Sequence, residues 1–221
     1  MNGLRSVEES YGTEIIRKGI HLTSLLIPVV YSFVTKETAL SILVPLTLLF
    51  VVSDAARLLV PPFGRFYSRL FGFLLRAHEK NDAGRRLNGA TYVLLSATIL
   101  VVFFPKVVVI TAFAILIISD TSAALIGRRF GRHRFLTKSV EGSSAFLVSA
   151  LLVVAVAPKV GYLPAEYLIG AVAALLGAIV EASALGLDDN LSIPLSVGGA
   201  LWAMYALFLP ALNLFPLDIA R

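Results

Sequence analysis

The sequence predicts an all-α integral membrane protein, a bundle of about seven transmembrane helices with one amphipathic helix at the membrane interface. Composition carries this prediction: 57% of the 221 residues are hydrophobic, the mean hydropathy is +0.86, and only 15% are charged. Soluble domains have roughly 25% charged residues. Apolar runs also recur along the whole chain, so residues 1–221 are predicted to form a single membrane-embedded domain without repeats or linkers.

Cysteine usage and charge exclude several classes of function. The chain has no cysteine, which excludes a disulfide framework, a thiolate metal site and a cysteine nucleophile. The net charge of +5 comes from bases in the segments between apolar runs, where they are expected to set topology rather than to bind nucleic acid. A cleaved signal peptide is not expected, because Glu8, Glu9 and Glu14 interrupt the N-terminal segment.

Seven apolar runs are expected to span the membrane. In chain order they are residues 20–34, 39–60, 89–104, 107–126, 143–157, 167–187 and 195–215. Pro61 and Pro62 are expected to end the second helix, because proline disrupts a helix interior. The aromatic, leucine and arginine residues of 63–76 then predict an amphipathic helix that lies in the interface.

The distribution of bases predicts the orientation. With seven spans, fifteen of the 19 lysines and arginines fall on one side of the membrane. The positive-inside rule assigns that side to the cytoplasm and places the N-terminus there. We therefore expect a multi-pass protein of the cell membrane whose functional site faces the cytoplasm.

Titratable side chains from several spans collect at this predicted cytoplasmic side. They are His21, Asp54, Asp120, Glu141, Glu181 and Asp189. A charge within the membrane part of a helix costs on the order of 3 kcal/mol, so Asp120 is expected to have a functional role rather than a purely structural ion pair.

Three of these acids and bases have a competing structural interpretation. Asp54 is equally well explained by an ion pair with Arg57, three residues further along the helix. A helix cap is the alternative for Asp189, since it explains one residue of 188–190, but it explains Glu181 poorly. Glu181 itself shares a face with small residues that favour close helix packing. Near the N-terminus, Glu14, Arg17, Lys18 and His21 fall on one face of a predicted helix, and an interfacial histidine without a role is the alternative for His21.

The stretch 115–146 is the strongest functional signal in the chain. It contains Gly127-Arg128-Arg129-Phe-Gly131 and then Lys138-Ser139-Val-Glu141-Gly142-Ser143. Glycines free backbone N–H groups for a ligand, and guanidinium groups bind phosphate oxygens. A lysine and a carboxylate flanked by glycine at a helix start suit a triphosphate with Mg²⁺. An ordinary basic loop is the alternative for the arginines alone.

These motifs resemble those of the CTP-dependent lipid-alcohol kinases, which include dolichol kinase, phytol kinase and the yeast-type diacylglycerol kinase. The core of the resemblance is Ser119-Asp120-x-x-Ala-Ala-x-x-Gly127-Arg-x-x-Gly131, followed by Lys138-Ser-x-Glu141-Gly-Ser143 and, after Glu181, by Asp189-Asn190-Leu-x-Ile-Pro194. Shorter matches are Arg17-Lys18-x-x-His21, Arg76-x-x-Glu79 and Asn88-Gly89.

The resemblance implies a kinase that transfers a phosphoryl group from CTP, or a similar nucleotide, to a polyprenol, phytol, geranylgeraniol or diacylglycerol hydroxyl, with Mg²⁺ as cofactor. It implies metal ligation by Asp120, Glu141 and Asp189, with Glu181 in support. A homodimer is a compatible assembly. The implied nucleotide-binding residues are Gly127, Arg128, Arg129, Gly131, Lys138, Ser139, Gly142 and Ser143. The proton acceptor stays open among Asp120, Asp54 and His21.

Two other functions are alternatives to the kinase. The same core distantly resembles phosphatidate cytidylyltransferases, but Thr137-Lys138-Ser139-Val140-Glu141-Gly142 departs from their Ser-Pro-Lys-Lys-Thr-x-Glu-Gly, and their C-terminal Pro-Gly-His-Gly-Gly signature has no counterpart. A cation- or proton-coupled transporter would also carry acids within its spans. No repeat symmetry is visible and the acids gather at one side, so the kinase is favoured.

Overall fold

The computed structural model describes residues 2–71, 87–183 and 186–214. Within these ranges the regular secondary structure is helical apart from one short hairpin, and the all-α class is confirmed. The helices are α1 (Asn2–Thr23), α2 (Leu26–Phe33), α3 (Lys36–Leu59), α4 (Pro61–Phe71), α5 (Gly89–Phe103), α6 (Lys106–Phe130), α7 (Val140–Val156), α8 (Pro164–Ala182) and α9 (Asp189–Phe208). Strands β1 (Arg134–Phe135) and β2 (Lys138–Ser139) pair antiparallel between α6 and α7.

Helix α6 is the centre of the bundle. Its apolar window is 72% buried, and it packs against α1, α2, α5, α7 and α9, while α8 covers α7 and α9. Helix α3 is equally apolar but only 22% of its window is buried. A peripheral helix that keeps apolar side chains exposed is suited to contact with lipid tails.

Four described helices are long and apolar enough to cross a membrane, namely α3, α6, α8 and α9. Helices α5 and α7 are apolar but have 15 and 17 residues, which at 1.5 Å per residue makes them about 22 and 26 Å long. Several apolar helices thus indicate a multi-pass membrane protein. Seven spans and a cytoplasmic N-terminus stay predictions.

The first predicted run, residues 20–34, is divided between two helices. The N–H groups of Ser24 and Leu25 donate to carbonyls three residues earlier, and this tight turn ends α1. Helix α2 has eight residues, about 12 Å of helix at 1.5 Å per residue. The division leaves the polar part of α1 packed beside α6.

Proline marks the end of one helix and lies inside another. Helix α3 ends at Leu59 and α4 begins at Pro61, which confirms the predicted break. Helix α9, by contrast, begins at Asp189 and continues through Pro194, six residues before the predicted run. Asp188 caps its start by accepting a hydrogen bond from the Asn190 N–H at 3.0 Å. The predicted interfacial segment 63–76 is described only to residue 71.

The small residues of α8 let it approach both neighbours closely. A Cβ atom at Gly170 would lie 2.5 Å from Val154 Cγ1 on α7, and one at Gly177 would lie 2.8 Å from Val197 Cγ2 on α9. Glu181 is buried on the same helix, with 3% of its surface exposed. This confirms the prediction that Glu181 lies on a helix whose small residues allow close packing.

Candidate functional site

A polar cavity of about 560 Å³ lies at one end of the bundle. Its walls come from α1, α6, β2, α7, α8 and α9, so six elements far apart in sequence meet there. The charged side chains that line it are Glu14, Arg17, Lys18, Asp120, Arg128, Lys138, Glu181 and Asp189. Among the described residues the cavity therefore has equal numbers of acids and bases and no formal net charge.

Asp120 lies at the buried floor of this cavity. Its carboxylate forms an ion pair with Lys18 of α1, and these residues are 5% and 4% exposed. His21 Nε2 lies 3.6 Å from the same carboxylate oxygen. A buried charge is tolerated when it is paired, so Lys18 makes an ionised Asp120 possible at this depth.

A second ion pair joins the same two helices, but here the acid is on α1 and the base is on α6. Glu14 of α1 is almost fully buried, and its Oε2 lies 2.9 Å from Arg128 Nη2 at the end of α6. Arg17, one turn along α1, also bonds to Glu14. Helix α1 therefore offers an acid to Arg128 and a base to Asp120, which fixes its rotation against α6.

Lys138 of β2 lies between two acids at the open side of the cavity. Its Nζ lies 3.2 Å from Glu181 Oε1 and 3.0 Å from Asp189 Oδ2. Burial alone would lower the pKa of Lys138, but the carboxylates of Asp189 and Glu181 outweigh it and raise the pKa above its ordinary value. Lys138 is therefore a cation at neutral pH. Ser143, also a predicted site residue, lies just behind this group, with its Oγ 3.5 Å from Glu181 Oε2.

The glycines of the central motif pack around Ser139. A Cβ atom at Gly127 or Gly131 would lie 3.2 or 2.8 Å from Ser139 Oγ. The Gly142 N–H donates to Ser139 Oγ at 3.1 Å, and the Gly131 N–H donates to the Gly127 carbonyl at 3.0 Å. The N–H groups of Gly131 and Gly142 are thus not free for phosphate as expected, because the first completes the last turn of α6 and the second bonds to the capping residue Ser139 at the start of α7.

Six predicted site residues do not line the cavity, namely His21, Asp54, Arg129, Gly131, Glu141 and Ser143. Two of them, Glu141 and Arg129, are engaged with other side chains. Glu141 accepts a hydrogen bond from His133 Nδ1 at 2.7 Å. Its own backbone N–H and His133 lower the pKa of Glu141 to about 2. The guanidinium of Arg129 lies over the rings of Tyr11 and Phe130, 6.0 and 5.5 Å from their centroids. Direct metal ligation by Glu141 and phosphate binding by Arg129 are therefore not supported, because both side chains are engaged elsewhere.

Asp54 is held in a separate hydrogen-bond network. Its carboxylate accepts bonds from Arg57 Nε at 3.0 Å, Thr91 Oγ1 at 2.7 Å, and the backbone and side-chain nitrogens of Asn88 at 2.7 and 3.1 Å. Asn88 also donates to the Tyr67 hydroxyl at 3.0 Å. The predicted pair with Arg57 is confirmed. As a proton acceptor Asp54 is a poor candidate, since its lone pairs are occupied and it does not line the cavity.

Three charged residues of the cavity are not among the predicted site residues, although the sequence contains a signal for them. Glu14, Arg17 and Lys18 share the helical face of His21, and only His21 was assigned a role. Charged residues on one face of a helix that precedes apolar runs were the available indication. The Arg76-x-x-Glu79 match lies outside the described residues.

The fold and the cavity define a multi-pass α-helical membrane protein with a charge-balanced site at one end of its bundle. The chain belongs to the same family as a Rickettsia prowazekii (strain Madrid E) protein named "Uncharacterized protein RP860". The two are 32% identical over 191 residues, which make up 85% of this chain and 93% of the relative. That name assigns no activity.

Two relatives with named activities match more distantly. The CTP-dependent diacylglycerol kinase 1 of Schizosaccharomyces pombe is 29% identical over 156 residues, covering 64% of this chain and 69% of the kinase. The Saccharomyces cerevisiae kinase of the same name is 31% identical over 138 residues, covering 61% of this chain and 41% of the kinase. This similarity supports a relationship with that kinase family. No family model and no solved structure matches the chain.

Proposed function

We propose that the protein is a lipid kinase that transfers the γ-phosphoryl group of CTP, or a similar nucleoside triphosphate, to the hydroxyl of a membrane lipid alcohol of the diacylglycerol, polyprenol, phytol or geranylgeraniol type. One observation carries the proposal: five of the six elements around the cavity bring matched acids and bases into it, within an apolar bundle. The similarity to two CTP-dependent diacylglycerol kinases supports it. The excess of bases on one predicted side supports a cytoplasmic site.

The bases of the cavity are suited to a polyphosphate. Arg128 and Lys138 are 44% and 38% exposed at its open side, whereas Lys18 is buried at its floor. This arrangement provides cations along the length of the cavity rather than at one point. Each base is now bound to a carboxylate, so a phosphate that binds the base would release this carboxylate, and a cation such as Mg²⁺ would have to balance the released charge.

The acids of the cavity fit Mg²⁺ that arrives with the nucleotide. Among the described residues no group of three His, Asp or Glu side chains is placed to chelate an ion without help. Mg²⁺ is usually held by one or two carboxylates together with substrate phosphates and water, and Asp120, Glu181 and Asp189 provide such carboxylates. Bound there, Mg²⁺ would neutralise charge on the transferred phosphoryl group.

The acceptor hydroxyl would reach the cavity from the lipid side of α1. The exposed side chains of Ile16 and Ile20 lie on the face of α1 that points away from Lys18, so this face would contact lipid tails. At the floor, Asp120 and His21 lie within 3.6 Å of each other, where one of them would accept the proton of the attacking hydroxyl.

Radiolabelled nucleotide tests the proposal directly. Purified protein is incubated with Mg²⁺, γ-³²P-CTP and a panel of diacylglycerol, phytol, geranylgeraniol and long polyprenols. Transfer of label into extractable lipid is expected in the wild type and in Glu37→Gln, an exposed acid outside the cavity. It is expected to be lost in Asp120→Asn.

Two outcomes would contradict the proposal and indicate a different function. Label that enters lipid only from α-³²P-CTP in the presence of phosphatidate would identify a cytidylyltransferase. Proton or cation flux through vesicles in the absence of nucleotide, without transfer of either label, would identify a transporter.

A further inference from the structure

The β1–β2 hairpin is fixed to the end of α8 by one residue, Thr137. Its backbone N–H and its hydroxyl both donate to the carbonyl oxygen of Ala182, at 3.0 and 2.8 Å. Ala182 is the last residue of α8, and the final carbonyls of a helix have no partner within the helix. Thr137 thus supplies two donors to an acceptor that the helix itself leaves unsatisfied.

This attachment determines where Lys138 lies. Lys138 follows Thr137 in the chain, and Glu181 precedes Ala182, so the bond between Thr137 and Ala182 sets the neighbouring side chains against each other. Lys138 Nζ then lies 3.2 Å from Glu181 Oε1 and 3.0 Å from Asp189 Oδ2. The placement depends on the hairpin, because lysine has a flexible stem and does not hold a position by itself.

The hairpin also has a strained residue that needs such support. Leu136 precedes Thr137 and has a φ of 49°, a left-handed conformation that is unfavourable for a leucine. Residues in such conformations persist where the surrounding structure holds them. Here the strand pair Phe135–Lys138 and the two bonds of Thr137 hold the turn on either side of Leu136.

We propose that Thr137 is a positioning residue for the polyphosphate site, because its two hydrogen bonds to Ala182 hold Lys138 between Glu181 and Asp189. The effect on nucleotide binding rests on the proposed kinase function, whereas the anchoring of the hairpin does not. Thr137 itself does not line the cavity, so it acts through Lys138 and not by contact with substrate.

Kinetic constants for three variants test the role in binding. Thr137→Val removes the hydroxyl at nearly constant shape and is expected to raise KM for CTP roughly three- to tenfold, the range for one hydrogen bond to a neutral carbonyl. We expect kcat to change less, and Thr137→Ser to restore KM. The control is Thr111→Val on α6, which also loses a hydroxyl bond to a carbonyl, Val107 O at 2.9 Å, without touching the cavity. A wild-type KM in Thr137→Val, or an equal rise in Thr111→Val, would overturn the proposal.

A distance measurement tests the anchoring without reference to activity. The chain has no cysteine, so spin labels attach only at introduced positions, Phe135→Cys on the hairpin and Val156→Cys at the far end of α7, both exposed. Thr137→Val is expected to broaden the distance distribution between the labels, and Thr111→Val to leave it unchanged. An unchanged distribution in Thr137→Val would overturn the anchor, whereas broadening in a protein that transfers no phosphoryl group would overturn only the proposed function.

Discussion

Lys18 and Asp120 form a buried ion pair that joins α1 to the central helix α6 at the floor of the cavity. The pair explains how an acid is accommodated in the middle of an apolar helix, since Lys18 supplies the opposite charge. The pair also holds the N-terminal helix α1 against the cavity, which α1 helps to line. The ion pair therefore ties the position of α1 to that of Asp120.

Removal of Lys18 alone should destabilise the protein more than removal of the whole pair. Lys18→Met leaves an uncompensated buried carboxylate, which costs about 3–5 kcal/mol when one partner of such a pair is lost. Lys18→Met combined with Asp120→Asn should recover much of that stability but no phosphoryl transfer. Thermal unfolding in detergent, with activity measured in parallel, separates the two effects. Equal melting temperatures for the single and double variants would contradict the buried pair.

Asp54→Asn should damage stability rather than chemistry. The Asp54 carboxylate accepts bonds from Arg57, Asn88 and Thr91, and a buried group left unsatisfied costs about 1–3 kcal/mol. We expect a lower melting temperature and yield, with KM and kcat of the folded fraction nearly unchanged. A wild-type melting temperature combined with loss of kcat would instead restore Asp54 as a proton acceptor.

Lys138→Met should weaken nucleotide binding strongly. Hydrogen bonds to charged groups contribute about 1.5–3 kcal/mol, so loss of the cation is expected to raise KM for CTP about tenfold or more. The variant also leaves Glu181 and Asp189 without their shared partner. Lys138→Arg keeps the charge and is the matched control, with an intermediate KM. Isothermal titration with CTP and Mg²⁺ measures the same loss without turnover.

Glu141 should stabilise the fold in a pH-dependent manner. The pKa of Glu141 is lowered from 4.5 to about 2, so its contribution is present above pH 4.5 and is lost as the pH falls toward 2. Wild type should therefore melt at a higher temperature than Glu141→Gln at neutral pH, and this difference should shrink on acidification. Melting curves from pH 7 to pH 3 for both proteins measure it. A difference that does not vary with pH would show that the ionised carboxylate is not responsible.

Two glycine substitutions should have opposite effects on stability. Gly177→Ala places a methyl group 2.8 Å from Val197 Cγ2, and overpacking of this kind typically costs about 1–3 kcal/mol. Gly199→Ala has no neighbouring atom within 4 Å and should stabilise α9 by about 0.5–1 kcal/mol, because glycine is the less favourable residue in a helix. Chemical denaturation of the pair measures both. A stable Gly177→Ala would contradict the close approach of α8 and α9.

Much of the bundle could be predicted from the sequence because its physical causes are local. Apolar runs indicate helices, and Pro61 ends one of them where expected. The cluster of Asp120, Lys138, Glu181 and Asp189 could also be predicted, because acids within apolar helices are costly and the topology brought them to one side.

Other features depend on contacts that no local pattern contains. Asp54 is bound by Asn88 and Thr91, more than thirty residues further along the chain, so its network could not be inferred from its own helix. Glu141 belongs to an apolar helix whose sequence does not indicate which side faces the cavity, and the structure directs its carboxylate to His133. The role of Gly127, Gly131 and Gly142 could not be predicted either. Glycine is required both in a phosphate-binding loop and where two helices approach closely, so the residue type does not distinguish the two roles.

The equal balance of acids and bases in the cavity has a consequence for how the protein is made. An unmatched cluster of carboxylates would have to wait for a metal ion before the helices could close around it, because buried like charges repel. Here Lys18, Arg128 and Lys138 already serve as internal counter-ions to the acids. The newly synthesised chain can therefore complete its folding in the bilayer before it meets any nucleotide or metal.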